Sequence, residues 1–166
     1  MKTTAFFTRM HSWLTGSRLT VDNSVVRELD LDRFLGSWYE VARFDHFFER
    51  GMSQTKANYV LRDDGNIDVI NTGIKDGRPK TAKGKAKLTD IPSLLRVSFF
   101  GPFYSDYRVM LVDADYRYML IGSGSDGYLW ILSRTPQLAD NDRTAILSEA
   151  KGRGYDIDKL IWVKQN

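Results

Sequence analysis

The chain is predicted to fold as an all-β protein: an eight-stranded antiparallel up-and-down β-barrel, with one C-terminal α-helix packed outside and a short final strand. Three observations predict it. Apolar and polar residues alternate with period two through a series of short runs, each bounded by turn residues. Several of the turns are tight, as at Asp63-Asp64-Gly65-Asn66 and Asp76-Gly77, so neighbouring strands run antiparallel. The pattern changes after Pro136, where Ala145, Ile146, Leu147 and Ala150 recur at helical spacing.

Residues 1–28 are assigned to an N-terminal leader or amphipathic extension, and 29–166 to the barrel domain. In the extension Phe6, Met10, Trp13 and Leu14 fall on one stripe of a helix, among Lys2, Arg9 and Arg18. Arg9 and His11 interrupt the apolar run, which makes a poor secretory signal. A disordered or processed leader, a basic surface helix on a membrane and an intact signal all stay open. Asp30 to Leu35 then reads as a short helical turn ended by Gly36.

The strands follow in order. Trp38 to Phe44 is the first. In the second Ala57, Tyr59 and Leu61 share a face, and in the third Ile67, Val69 and Asn71. Ala82, Gly84 and Ala86 alternate with Lys83, Lys85 and Lys87 in the fourth. Leu95 to Phe100, Tyr107 to Val112, Tyr116 to Ile121 and Tyr128 to Ser133 complete the set. Closing eight such strands removes the sheet edges and leaves an interior about wide enough for one small ligand. Asp140 or Asn141 is placed to cap the helix, and Leu160 to Val163 forms the last strand.

Composition narrows the function. The 166 residues carry a net charge of +3, 42% hydrophobic residues and no cysteine. A disulfide framework, a thiol nucleophile, a cysteine zinc site and a lipidated cysteine are thereby excluded. The small charge argues against nucleic-acid binding. Gly122-Ser123-Gly124-Ser125-Asp126-Gly127 fits a dinucleotide fingerprint in spelling, but a strand follows it, so it reads as a hairpin loop. Asp113-Ala114-Asp115 and Asp140-Asn141-Asp142 are too short for calcium loops. No metal and no cofactor is expected.

Gly36-Ser37-Trp38-Tyr39, Asp113-Ala114-Asp115-Tyr116 and Arg134, in that order and at that spacing, resemble the three motifs of the lipocalin family. Arg43 to Gly51, Leu61 to Gly65, Val97 to Tyr104 and Tyr128 to Pro136 resemble its bacterial branch, the outer-membrane, apolipoprotein D-like lipocalins. The resemblance runs from about Leu29 to the C-terminus. It implies a structural motif of Gly36, Trp38, Asp113, Tyr116 and Arg134, with Trp38 plugging the closed end and the Arg134 guanidinium over its indole. It implies non-enzymatic binding and transport of small hydrophobic ligands, fatty acids or lysophospholipids, by a monomer or homodimer. It also implies the cell envelope, outer membrane or periplasm. This chain has no lipidation cysteine and no clear signal, so cytoplasmic or peripheral-membrane placement stands beside that.

On that frame the ligand-lining set is Ala57, Tyr59, Leu61, Val69, Asn71, Gly84, Ala86, Val97, Phe99, Arg108, Met110 and Trp130. The sixth strand has two phasings. With Arg108, Met110 and Val112 inward, Arg108 meets a carboxylate or phosphate head. With Tyr107, Val109 and Leu111 inward, Arg108 is a solvated surface residue. Phe47, Phe48, Phe103 and Tyr104 on two mouth loops either close a lid or form an exposed patch for a membrane or partner. The outward Lys83, Lys85 and Lys87 are a solvated face or a docking surface for anionic lipid. The enzyme alternative is a mouth site in which His46, with Asp45 or Glu49, does acid–base work on a lipid.

Overall fold

The computed structural model describes residues 19–166. The amphipathic stripe from Phe6 to Leu14 lies outside them. Eight antiparallel strands close into a barrel: β1 (Gly36–Phe44), β2 (Ser53–Leu61), β3 (Ile67–Lys75), β4 (Arg78–Lys87), β5 (Leu94–Phe100), β6 (Phe103–Val112), β7 (Tyr118–Gly122) and β8 (Leu129–Ser133). Each pairs with the next, and β1 closes the ring against both β8 and β2. A short strand β9 (Leu160–Trp162) adds to β1 from outside. Gly122 to Tyr128 is a hairpin loop entering a strand, as its context predicts.

β1 stays paired with β2 only from Gly36 to Tyr39. Above that the two strands fork, and the C-terminal segment fills the fork. Val163 N–H donates to Val41 O at 3.0 Å and Gln54 N–H to Lys164 O at 2.6 Å. The Gln165 amide Nε2 donates to both Glu40 O, 2.6 Å, and Thr55 O, 3.0 Å. Backbone groups that a wider seam would leave bare in the wall are thus satisfied.

The closed end is built from α1 (Leu31–Phe34) and the motif residues. Trp38 is fully buried and its indole N–H donates to Phe34 O at 2.8 Å. The Arg134 guanidinium carbon lies 3.6 Å from the indole ring centroid. Its nitrogens donate to Ser37 O at 2.8 Å, Arg33 O at 2.5 Å and Leu35 O at 2.9 Å. One cation therefore stacks on the plug and satisfies carbonyls left open at the end of α1. Gly36 is required here: its φ is +95°, and a Cβ would stand 3.4 Å from Arg134 Nη1. In the β6–β7 turn the Asp113 carboxylate binds Arg117 at 2.9 Å, and the Tyr116 hydroxyl accepts the Asp30 N–H at 2.7 Å.

Apolar side chains form two layers. Inside the barrel Phe34, Trp38, Tyr59, Ile67, Val69, Leu95, Val109, Met119, Ile121 and Leu132 pack together. Outside it α2 (Asp140–Gly152) lays Ile146 and Ala150 over Met110, Leu120, Leu129 and Ile131. Two details differ from the expected helix. Its N-cap is Ala139, with no side-chain cap bond, and Asp140 and Asp142 lie in its first turn. Ala145 is exposed, because the buried stripe is centred on Ile146 and Ala150.

Residues 19–28, grouped with the extension on sequence, run along the outside of β6. Val26 N–H donates to Val109 O at 3.0 Å, and Arg153 donates to Ser24 O at 2.8 Å and Met110 O at 2.9 Å.

Trp38→Ala is expected to cost about 3–5 kcal/mol, as a large buried aromatic leaves a cavity at the floor. Chemical denaturation of both proteins measures it, and an unchanged midpoint would contradict the plug.

Candidate functional site

The chemistry of the interior follows from the phase of each strand. On β2 and β3, Ala57, Tyr59, Ile67, Val69 and Asn71 face inward, as alternation predicts. β4 contributes Gly84 and Ala86, and β5 contributes Leu95, Val97 and Phe99. A Cβ at Gly84 would stand 2.8 Å from two Phe99 ring atoms, so the missing side chain is what admits that ring. β4 and β5 pair only at Lys85, Ala86 and Lys87, leaving the wall open above them. Trp130 and Leu132 come inward from β8.

Three ligand assignments are corrected. Arg108 points outward, donating from Nε to Asn23 O at 2.8 Å and from Nη1 to Asp106 at 3.2 Å. Met110 is also outside, packed under α2. Both follow from the phasing that puts Tyr107 and Val109 in the inner layer; a register shift between Val109 and Leu111 then brings Val112 inward in place of Leu111, so neither uniform phasing describes the whole of β6. Leu61 lies past the end of its neighbour, since Tyr59 already pairs with Gly36, the first residue of β1; it is 47% exposed.

Tyr59 is engaged rather than free. Its hydroxyl lies 2.8 Å from the Tyr107 hydroxyl. β2 and β6 stand on opposite walls of the barrel, so the two phenols form a bar across the lumen, with the Phe34 ring 4.7 Å from that of Tyr59. Burial pushes both phenols above their usual range. The Asn71 Oδ1 and Thr55 Oγ1 atoms are buried without a hydrogen-bond partner.

Beneath the mouth loop His46 and Glu49, paired in the sequence reading, sit in a charged cluster with Arg43 and Glu40, which that reading did not include. Arg43 is 1% exposed; it donates to Glu40 Oε1 at 3.0 Å and to the loop carbonyls of Glu49, 2.8 Å, and Met52, 3.2 Å. Glu49 Oε1 lies 3.2 Å from His46 Nε2 and accepts from the Trp130 indole at 3.4 Å. Alternation from Trp38 would have put Glu40 inside; a register shift between Glu40 and Ala42 then turns Arg43 inward as well. Burial and the Glu49 charge raise the Glu40 carboxyl well above the carboxylate range, against the pull of Arg43. Burial pushes Glu49 up too, but bonding to His46 and Glu40 and the Arg43 charge outweigh it and hold Glu49 low. The two carboxyls are thus driven apart, Glu40 upward and Glu49 downward.

His46 is buried, with its ring centroid 3.9 Å from that of Phe48, and Asp45 is paired with Arg50 at 2.9 Å. Phe48 stacks on Tyr128 yet is still 43% exposed, and Phe47 and Phe103 are 72% and 77% exposed. Tyr104 lies under Lys87, whose ammonium is 4.3 Å from its ring centroid. Among the described residues no group of three His, Asp or Glu is arranged to hold a metal ion. A cleft of about 570 Å³ lies outside the barrel between Val21, Phe44 and Tyr155, away from the lumen.

The lipocalin-like domain profile matches residues 29–165. The outer membrane lipoprotein Blc of Citrobacter freundii is 50% identical over 146 residues, covering 86% of this chain and 82% of that protein. Mouse apolipoprotein D is 32% identical over 152 residues, covering 85% and 79%. Insecticyanin of the tobacco hornworm superimposes with a TM-score of 0.69 at 20% identity, covering 85% of this chain and 83% of that one, a likeness of fold alone.

The Glu40 carboxyl holds its proton more tightly folded than unfolded. Its contribution to stability therefore falls as pH rises from the ordinary value of about 4.3 through the raised folded one. Glu40→Gln keeps a neutral side chain there. It should raise the melting temperature at alkaline pH and flatten its decline between neutral and alkaline buffers; parallel curves for the two proteins would contradict the upward shift of Glu40.

Proposed function

Because the chain belongs to the lipocalin family, whose members bind small hydrophobic molecules, we propose that it is a non-enzymatic carrier of single-chain lipids, fatty acids or lysophospholipids. The ligand lies in the upper half of the barrel, above the Tyr59–Tyr107 bar. The observation that carries this reading is the shape of the upper wall. Ala57 keeps its inward face small, and β4 leaves β5 above Lys85, so an alkyl chain can enter beside Phe99. Val69, Val97, Leu132 and Trp130 supply apolar contact, and the polar atoms of Asn71 and Thr55 are few. The names of the relatives support the same class, as one is a membrane lipoprotein and another an apolipoprotein.

An acid–base role for His46 has less support. Its ring is packed on Phe48, and the neighbouring Glu49 is occupied by Trp130 and His46 itself. Among the described residues its ring is flanked by those of Phe48, Tyr128 and Trp130.

The bar sets a depth. Each buried methylene contributes about 0.8 kcal/mol, roughly fourfold in affinity. Calorimetric titration with saturated acids from octanoate to stearate should show affinity climbing with length and then levelling where the chain meets the phenols. Tyr107→Ala should move the plateau to longer chains. A plateau unmoved by Tyr107→Ala would mean the ligand lies elsewhere, and no binding at any length would end the carrier reading.

A further inference from the structure

The barrel wall has a second opening, and its two sides differ chemically. β6 begins at Phe103, yet it is bonded to β7 only from Arg108 and Gly122 downward. Above that pair, β6 and the β7–β8 loop diverge around a cleft of about 490 Å³ at the mouth. Its inner side is aromatic: Phe48, Tyr128 and Trp130, with the Tyr128 and Trp130 rings stacked at 5.8 Å. Its outer side is polar, with Arg96 and Asp106 near Ser123 and Ser125, while Ser105, the register partner of Val97, stands on the inner face.

The outer side is short of negative charge. Arg96 donates to Asp106 and to Tyr104 O at 3.1 Å, and Arg108 donates to the same Asp106 carboxylate at 3.2 Å. Two guanidiniums thus share one carboxylate. Lys87, the register partner of Arg96, stands over Tyr104 on the same face. Of the two arginines, Arg96 is the more accessible, its side chain 44% exposed against 20% for Arg108.

We propose that this window is where the polar end of a bound single-chain lipid leaves the lumen, and that Arg96 selects a phosphate-bearing head. The proposal rests on the carrier reading above. An alkyl chain inside passes Trp130 and Tyr128, and the head emerges where Arg96 offers charge-assisted donors. The cleft is far larger than a carboxylate needs, and the serines at its edges suit the hydroxyls of a phosphoglycerol head. Asp106 competes with the incoming anion for Arg96, so it sets the affinity in the opposite sense.

The test is calorimetric titration of the full chain and two variants with 1-oleoyl lysophosphatidic acid, oleate and monoolein. Arg96→Gln should weaken lysophosphatidic acid about tenfold and leave monoolein within about twofold. Asp106→Asn, which frees the guanidiniums, should tighten lysophosphatidic acid. Opposite signs at two touching residues cannot come from a loosened β5–β6 hairpin. Equal weakening of monoolein, or weakening by Asp106→Asn as well, would overturn the proposal. So would an Arg96→Gln effect as large on oleate as on lysophosphatidic acid, since the site would then read any anion. Arg96-dependent binding of inorganic phosphate to the ligand-free protein would assign the site to free phosphate instead. If the unaltered chain binds none of the three lipids, the carrier reading fails and this proposal fails with it. If it binds them all while both variants behave as wild type, only this proposal fails.

Discussion

The arrangement depends on one stack. Arg134 lies over Trp38 and at the same time donates to the carbonyls that end α1 and begin β1. A guanidinium suits this double task because it is planar, weakly hydrated and carries donors in a fixed fork. Burial lowers its pKa, yet it has enough acceptors to stay a cation. With β8 clamped to β1 in this way, the sheet has a floor, and every strand above it takes its height from that floor. Tyr59 and Tyr107 then meet across the lumen at a level set by their register to β1 and β5.

Opposite the floor the barrel is organised by charge. Arg43 reaches from β1 to two carbonyls of the mouth loop, so the loop is tied to the wall through a buried cation instead of apolar packing alone. Such a tie holds only while its counter-charge is present. Glu49 supplies that charge, and Glu40, whose carboxyl burial pushes upward, fills the space beside it. The lumen thus has a polar collar beneath its lip, and Trp130, Tyr128 and Phe48 surround that collar with aromatic surface.

Most of the barrel is legible in the residues. Period-two runs and Asp/Gly turns mark the strands, and Trp38 and Arg134 mark the end at which they close. The inward faces of β2 to β5 follow from alternation because one face of each is plainly smaller or more apolar than the other. β6 resists that treatment. Both of its faces are apolar in the lower half, one lining the lumen and one lying under α2 and residues 19–28, so polarity alone does not mark inside from outside. A one-residue shift in register there, and another in β1, reverses the side to which later residues point; local composition carries no sign of either. Arg43 and Glu40 stay hidden beside His46 and Glu49 for the same reason, since alternation alone does not turn Arg43 inward.

The distance along the chain between the two halves of the floor has a consequence for assembly. Arg134 and Ser37, bonded in the finished protein, are 97 positions apart. Hairpins from β2 to β7 are local and form as soon as their turns are made, but the seam joining β1 to β8 waits for nearly the whole chain. A chain emerging from the ribosome therefore passes through an open, curling sheet with a bare first strand before the last arginine arrives to lock it. Closing so long a loop is entropically expensive, which places the slow event of folding at the union of the ends. Until that union the unpaired edge of β1 is the part of the nascent molecule most open to wrong partners.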